Sequence, residues 1–245
     1  MTDPVAYLRR APLRRALQQA GAIWAESSDT AVAVSMPGTA RRMTNLFMAD
    51  LSALPRLGFK GRGTITAMKA RGVTVEAEPN KAFAQPDGGL CLVLAASEVI
   101  LLADPLAADT KRDAAALDAM LASWKLEDEE QTYPLLRHDS HAWLAVGGTK
   151  AAEMLAKICA IDLAPHKFPN FSIAQTSVAK VSAIVTRADI GSTLTFHLLA
   201  DSAAALYFWG CLMDAAHDLG GQIVGLTALQ ELSLHDKTSR RPPET

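Results

Sequence analysis

The sequence predicts an α+β protein made of two ferredoxin-like (βαββαβ) units, and a repeated order of short motifs is the first observation behind this prediction. Each copy has a glycine that ends a turn, then an asparagine after proline, then a closing aspartate: Gly61, Asn80 and Asp104 in the first copy, and Gly148, Asn170 and Asp201 in the second. The steps are 19 and 24 residues (80 − 61, 104 − 80) and then 22 and 31 residues (170 − 148, 201 − 170). A period near 90 residues (170 − 80) indicates a duplicated subdomain, with chance likeness of two apolar segments as the alternative.

The second observation is the order of elements in the second copy. Periodicity predicts a strand at 142–146, a helix at 149–160, strands at 177–186 and 194–200, and a helix that Asp201 or Ser202 caps and Gly220 ends. A last short strand is expected at 222–226. Strand, helix, strand, strand, helix, strand is the order of a ferredoxin-like unit.

The first copy follows the same order less clearly. We expect a strand at 54–60, a helix from 64 that Gly72 stops, a loop at 78–89, strands at 90–94 and 99–103, and an amphipathic helix at 110–124. The two later strands are almost continuously apolar, which predicts burial on both faces. The acidic run at 127–130 is the expected boundary between the copies.

Residues outside the copies are expected to form an extension and a tail. A helix is predicted from Asp3-Pro4 to Gly21, with Pro12 as a kink or a restart, and a hairpin follows at 23–34, whereas 36–48 stays ambiguous. The expected organisation is an N-terminal extension at 1–49 packed on the core, ferredoxin-like units at 50–130 and 131–230, and a flexible tail at 231–245.

Composition excludes several classes of protein. The chain has 245 residues, of which 49% are apolar, so it can bury a large core, and its net charge of −2 argues against nucleic acid as an obligate partner. The arginine pairs 9–10, 14–15 and 41–42 are either solvated faces or a docking surface for an acidic partner. Cys91, Cys159 and Cys211 are scattered through apolar sequence, which is typical of a reducing compartment. With no signal-like or membrane-spanning segment, we expect a cytoplasmic protein without a membrane partner.

Motifs for independent catalysis are missing from the sequence. There is no phosphate loop, dinucleotide fingerprint, metalloprotease motif or nucleophile elbow, and no carboxylate stands out as a general base. His138 and His141 flank Asp139 without a third nearby ligand, so we expect a polar cluster rather than a metal site. His197 lies in an apolar strand and is expected to be a core or interface histidine.

Two groups of side chains are candidates for binding. The first is the densest group of neutral hydrogen-bonding side chains in the sequence: Asn170, Gln175, Thr176 and Ser177. Such side chains orient polar heterocycles in many pockets, although loop turns use the same residue types, and we take them as the candidates for binding folate or another ligand. For a protein interface we expect aromatic and arginine anchors and one histidine. The interface candidates are Arg14, Arg15, His141, Trp143 and Trp209.

Several stretches resemble one known family. They are 137–143, 158–163, 168–169, 174–179 and 197–202, with looser likeness at 11–13, 50–52 and 60–61. The resemblance is to the gamma-subunit family of heterotetrameric sarcosine oxidases, which belongs to the wider family of the glycine cleavage T-protein, a tetrahydrofolate-dependent aminomethyltransferase. It implies the folate-binding T-protein-like fold, which contains duplicated ferredoxin-like units.

The resemblance also implies cofactors and partners. The oxidase demethylates sarcosine oxidatively to glycine and passes the one-carbon unit to tetrahydrofolate. FAD, FMN and NAD are then expected on partner subunits, with tetrahydrofolate left open for this chain. The expected partners are alpha, beta and delta subunits.

One departure from the family pattern bears on catalysis. In the T-protein pattern a Gly-Gly pair is followed within a few residues by an aspartate, which works on the folate, whereas Gly88-Gly89 here is followed by the apolar run 90–94. A non-catalytic gamma-type subunit with no catalytic residue and no metal is therefore the leading hypothesis. The alternatives are a stand-alone folate-binding protein acting on a methylated amine, and an adapter that retains only the fold.

Overall fold

The computed structural model of the protein describes residues 2–27, 29–38, 45–107, 110–125 and 131–239. The helices in these ranges are α1 (Arg14–Gln19), α2 (Thr64–Ala70), α3 (Thr110–Ala122), α4 (Arg137–Ser140), α5 (Ala151–Ala156), α6 (Ala205–His217) and α7 (Leu226–Ser239). The strands are β1 (Ile23–Ser27), β2 (Thr30–Ser35), β3 (Phe47–Asp50), β4 (Arg56–Gly61), β5 (Lys81–Ala84), β6 (Leu90–Ala95), β7 (Glu98–Leu102), β8 (Thr132–Leu135), β9 (His141–Gly147), β10 (Ile173–Val178), β11 (Val181–Arg187), β12 (Thr195–Asp201) and β13 (Gln222–Ile223). Within these ranges no helix has the length and hydropathy needed to cross a membrane.

The first ferredoxin-like unit is confirmed. Its sheet has the order β5-β6-β7-β4-β8, and every neighbouring pair is antiparallel. The chain passes from β4 through α2 to β6 and β7, and then through α3 to β8, which is the ferredoxin-like connectivity. β5 adds an edge strand to this plan.

The second unit has the same strand arrangement, except that its last position is filled by a strand from the N-terminal part of the chain. Its sheet has the order β10-β11-β12-β9-β3-β13. β3, from the N-terminal side of the chain, lies antiparallel to β9 and takes the place that β8 holds beside β4. The expected last strand is shorter than predicted, and β13 pairs in parallel with β3 rather than with β9.

The two units meet through the same segment of each. Ile173 N donates to Asn80 O at 2.9 Å, and Ala82 N donates to Phe171 O at 2.8 Å. Asn80 and Phe171, at φ 62° and 66°, each precede the edge strand of their unit. The structural equivalent of Asn80 is therefore Phe171, one residue beyond the asparagine that the sequence comparison paired with it.

The two sheets pack face to face, with helices on the outside. The layer between them contains Leu92 and Ile100 from the first sheet and Trp143 and Leu199 from the second. Neighbouring strand residues pack outward, against α2 and α3 on one side and against α5 and α6 on the other. Because both faces of the central strands are covered, the strands are apolar throughout, as predicted.

Glycine is required at the end of the first strand of each unit. Gly61 has φ +148° and Gly148 has φ +108°, both in the region that favours glycine. A Cβ at Gly61 would overlap Gln131 O, and a Cβ at Gly148 would overlap Asn45 O. These two carbonyls precede β8 and β3. The absence of a side chain at each glycine therefore lets β8 pair closely with β4 and β3 pair closely with β9.

The prediction of one strand at 177–186 is wrong. β10 and β11 form a hairpin whose turn residues Ala179 and Lys180 have φ 51° and 64°. Two-residue hairpin turns with positive φ usually contain Asn or Gly. Because Ala-Lys lacks that signal, the alternating pattern predicted a single strand.

The observed elements also differ from the expected organisation at four places. β8 lies after residue 130 but pairs with β4 in the first sheet. β3 belongs to the second sheet rather than to an extension, and α7 continues through the expected tail to Ser239. The helix predicted from Asp3 is limited to α1. The acidic run at 127–130, the pair 41–42 and residues 240–245 lie outside the described ranges.

Candidate functional site

A groove of about 500 Å³ lies on the inner face of β10, β11 and β12, at the start of β9. Pairing places Ser177 opposite Ser182 and Gln175 opposite Ile184, so these side chains share one face of the sheet. We call this surface the neutral groove; its lining residues are His141, Gln175, Thr176, Ser177, Ser182, Ala183, Ile184 and Leu199. Hydroxyl and amide groups beside apolar side chains can orient a polar ring.

Gln175, Thr176 and Ser177 all line the neutral groove, but they contribute differently. Gln175 Nε2 donates to Asn80 Oδ1 at 3.0 Å and to Leu94 O at 2.8 Å, so it connects β10 to the first unit. Thr176 lies between two groove-facing residues, and strand alternation turns its side chain to the other face. Ser177 is exposed and remains a candidate for ligand contact.

Asn170 is not part of this groove. Its Oδ1 accepts hydrogen bonds from Phe171 N and Asp189 N, each at 3.1 Å, and so orders the loop before β10. Sequence reasoning missed Ser182, which is five residues after Ser177 (182 − 177). On one continuous strand these two would face opposite ways, and only the hairpin brings them together.

His141 connects the neutral groove to a second cavity. Its Nδ1 lies 2.8 Å from Ser140 Oγ. Burial lowers the pKa of His141, and the charges of Arg137 and Arg56 lower it further. The second cavity, about 300 Å³, is here called the basic cavity; it is lined by Arg9, Arg10, Ala11, Pro12, Thr30, Ser52, His138, Asp139, His141, Ser202 and Ala203.

The arginines around the basic cavity are already engaged within the chain. Arg9 forms ion pairs with Asp29 and Asp139, both at 2.9 Å. Arg10 donates to two backbone carbonyls of its own segment. These contacts fasten the N-terminal segment over α4, so the cavity is better explained as a structural junction than as an anion site.

Arg56 is the most buried cation at this junction, at 2% exposure. Its guanidinium donates to five backbone carbonyls, namely those of Ser52, Leu54, Arg137, His138 and His141. Burial lowers the pKa of Arg56 to about 10, and the nearby charge of Arg9 contributes. Arg56 therefore holds α4 and the start of β9 against the first sheet.

Asp50 is the buried carboxyl group nearest to this junction. Burial raises its pKa, while hydrogen bonds from Ser52 and the charge of Arg56 act in the opposite direction. Asp50 Oδ1 accepts from Ser52 N at 2.9 Å, which caps the turn after β3. Asp50 is not among the residues that line the neutral groove.

Two of the predicted interface anchors lie in the interior. Trp143 has no exposed surface, and its Nε1 donates to His197 Nδ1 at 3.1 Å. Trp209 is 6% exposed on the inner face of α6. The prediction that these tryptophans anchor a protein interface is therefore wrong, because the second sheet and α6 place both side chains in the interior. The expected core histidine is confirmed: His197 is 2% exposed, and burial lowers its pKa to about 4.

The other interface candidates are accessible to different degrees. Arg15 is exposed, whereas Arg14 is half-buried and donates to Gln18 Oε1 at 3.1 Å. His138 Nε2 lies 3.2 Å from Asp139 Oδ2, so the residues around α4 form a polar cluster. Among the described residues, no group of three or more His, Cys, Asp or Glu side chains could hold a metal ion.

Comparison with known families decides the relationship of the chain. The model of the GCVT N-terminal domain matches residues 94–239, which is more than half of the sequence. The chain belongs to the GCVT N-terminal domain family. An aminomethyltransferase of Halothermothrix orenii (strain H 168 / OCM 544 / DSM 9562) is 28% identical over 113 residues. That match covers 46% of this chain and 31% of the relative, so the chain spans less than a third of the relative's length.

Two solved structures resemble this GCVT-family chain in fold. Heterotetrameric sarcosine oxidase from Corynebacterium sp. U-96, determined in complex with pyrrole 2-carboxylate, matches with a TM-score of 0.62 and 21% identity, over 86% of this chain and 96% of the oxidase chain. Glycine cleavage system aminomethyltransferase T from Bartonella henselae matches with a TM-score of 0.70 and 16% identity, over 93% of this chain and 62% of that one. At these identities the likeness establishes the T-protein-like fold.

Proposed function

We propose that this chain is a non-catalytic, gamma-type subunit of a sarcosine oxidase complex. The observation that carries the proposal is the fate of the segment after Gly88-Gly89. In the T-protein pattern an aspartate a few residues after such a pair works on the folate, whereas here the segment after the pair forms β6. Residues 90–94 are apolar and between 0% and 7% exposed. A strand buried in this way leaves no position for an active carboxylate.

The neutral groove supports the same interpretation. Its described lining contains hydroxyl, amide and imidazole groups but no carboxylate. His141 is the one histidine of this lining, and burial and two arginines lower its pKa, which makes its neutral imidazole a weaker proton acceptor than an ordinary histidine. The groove as described therefore has hydrogen-bonding groups for orientation, no carboxylate and a single weakened base.

The comparison with the oxidase supports a subunit role. The likeness extends over 96% of one chain of a heterotetrameric assembly. The role would be structural: the chain docks beside the folate-binding subunit and helps to enclose the route between active sites. FAD, FMN and NAD would belong to the alpha, beta and delta partners.

The proposal can be tested by complementation in extracts. Cells that lack this chain should lose flavin-dependent sarcosine oxidation, and the purified chain should restore it when added back. The purified chain alone should show no turnover of sarcosine with tetrahydrofolate. Turnover by the isolated chain, or full oxidation in cells that lack it, would contradict the proposal.

A stand-alone folate-binding protein is the second candidate, because the neutral groove is large enough for a polar ring. It predicts saturable binding of tetrahydrofolate to the isolated chain, measured by calorimetry. Ser177→Ala with Ser182→Ala would then weaken binding, while Ser123→Ala, an exposed serine outside the groove, would not. Absence of saturable binding would remove this candidate.

A further inference from the structure

The first half of the outer face of α6 is apolar, although no part of the described chain covers it. Phe208 and Leu212 pack inward into the core. On the opposite face Leu206 is 58% exposed and Tyr207 is 56% exposed, although the sequence ALYFWGCLMDAAH contains a single acidic residue, Asp214. The exposed polar residues of this face, Asp214 and His217, lie in the second half of the helix. Because a helix segment that is apolar all round is normally buried, the first half of α6 has the composition of an element with protein on both sides.

Gly210 is the second, independent observation. It lies in the interior of α6, where glycine destabilises a helix by about 0.5–1 kcal/mol relative to alanine. A Cβ at this position would meet nothing within 4 Å, so the packing of this chain does not require glycine there. A glycine on an exposed helix face allows the backbone of another element to approach closely.

The surface beside Tyr207 supplies a pocket with a defined charge. A groove of about 440 Å³ runs from the first turns of α6 to the end of α5 and the β10–β11 turn. Its apolar lining includes Ile158 and Ala179, and its charged lining residues are both lysines.

Of the two lysines, Lys157 is engaged within the chain, because its Nζ donates to Ala215 O at 3.0 Å and lies 3.8 Å from Asp218 Oδ2. Lys180, by contrast, is exposed at the turn. The groove therefore favours an apolar side chain with a carboxylate placed toward Lys180.

We propose that the outer face of α6 is the interface with another protein chain of the assembly. That chain crosses α6 at Gly210, inserts an apolar side chain beside Tyr207, and presents an acidic residue to Lys180. The inference rests on the proposed subunit role and names the surface that performs it. It replaces Trp209 as the anchor on this helix by Tyr207, two positions earlier.

The test compares partner recovery by variants of the full chain purified from its own cells. Tyr207→Glu and Gly210→Leu should each reduce the recovered flavin-carrying chains by at least about tenfold, since central anchors dominate interface energetics. Tyr133→Glu is the matched control, because Tyr133 is 53% exposed on β8 and should leave recovery unchanged. Recovery within twofold of the unmodified chain by both α6 variants would overturn the inference while leaving the subunit role intact.

Two further measurements separate folding and self-association from partner loss. Gly210→Ala should raise the Tm of the isolated chain by about 1–4 °C, because the glycine has no internal role. A lower Tm would show an internal role and overturn the argument. Light scattering should show a monomeric isolated chain; a dimer that Gly210→Leu dissociates would assign the face to a second copy instead. If the unmodified chain recovers no flavin-carrying chains, the subunit role itself fails.

Discussion

At the scale of single residues, the buried pair Trp143–His197 predicts a specific dependence of stability on pH. Burial lowers the pKa of His197 to about 4 from the ordinary 6.5. Between these values the unfolded chain binds a proton that the folded chain does not, so stability falls as the pH falls through this window. From pH 7 to pH 5 the loss should be about 2 kcal/mol, as the shift of the pKa requires.

Urea unfolding of His197→Gln at both pH values checks this prediction. The variant should lack that part of the pH dependence, because glutamine does not titrate. His217→Gln, which changes a histidine exposed at the end of α6, should retain it. Equal pH dependence in the two variants would contradict the assignment.

Arg56 predicts a large effect from a small substitution. Arg56→Lys keeps the charge but loses the planar donor set that reaches five carbonyls. The free energy of unfolding should fall by about 3 kcal/mol or more, because several buried acceptors lose their donor. Arg62→Lys, at an exposed position before α2, is the control and should change it by less than about 0.5 kcal/mol. A similar small effect at Arg56 would show that its hydrogen bonds contribute little.

Residue identity predicted some environments and not others. The apolar neighbours of His197 indicated burial, and the structure confirms it. The same reasoning did not identify Trp143 as buried, because a tryptophan on a strand is equally suited to an interface. Its environment depends on the first sheet, which packs over it from a distant part of the sequence.

At the scale of elements, the glycine that ends the first strand of each unit should be intolerant of a side chain. Gly61→Ala adds a backbone strain and an overlap with Gln131 O. Gly72→Ala adds the strain alone, since Gly72 has φ +78° and nothing lies within 4 Å of its added Cβ. In denaturant unfolding, the free energy of unfolding should fall by about 1 kcal/mol for Gly72→Ala and by at least twice that for Gly61→Ala. Equal losses would mean that β8 does not press against Gly61.

In the β10–β11 turn, by contrast, a substitution to glycine should increase stability. Lys180 has φ 64°, a conformation that costs most residues about 1 kcal/mol and glycine almost nothing. Lys180→Gly should therefore raise the free energy of unfolding, by less than about 1 kcal/mol, because glycine also adds entropy to the unfolded chain. The exposed loop residue Lys167 has no positive φ, so Lys167→Gly should give no gain. A loss at position 180 would contradict the hairpin.

Element prediction succeeded where one apolar pattern determines one element. β4, β6 and β7 of the first unit were found in this way, whereas β5 lies in the stretch 78–89 that was expected to be a loop. The Asp201 side chain accepts from Ala203 N and so caps the 3₁₀ turn at 202–204 that leads into α6. The pattern failed at β3 and at the β10–β11 turn. β3 precedes the first unit in the sequence but pairs with β9 in the second sheet, which no local pattern indicates. The turn requires positive φ angles at Ala179 and Lys180, residue types that do not predict such angles.

At the scale of the whole molecule, the duplication was predictable and the geometry between the copies was not. Motif order and spacing indicated two ferredoxin-like units, and the matching strand orders of the sheets confirm them. The face-to-face packing of the sheets and the contact between their edge strands arise from tertiary structure alone. The neutral groove follows the same division: Gln175 and Ser177 were predicted, whereas Ser182 depends on the hairpin.

The proposed subunit role is tested most directly by purifying the chain from its own cells in mild salt and recording the absorption spectrum with the accompanying proteins. We predict yellow flavin absorbance together with three other chains, and sarcosine oxidation by the purified material. A colourless product that contains this chain alone would contradict the subunit role and would make folate binding by the neutral groove the function to test.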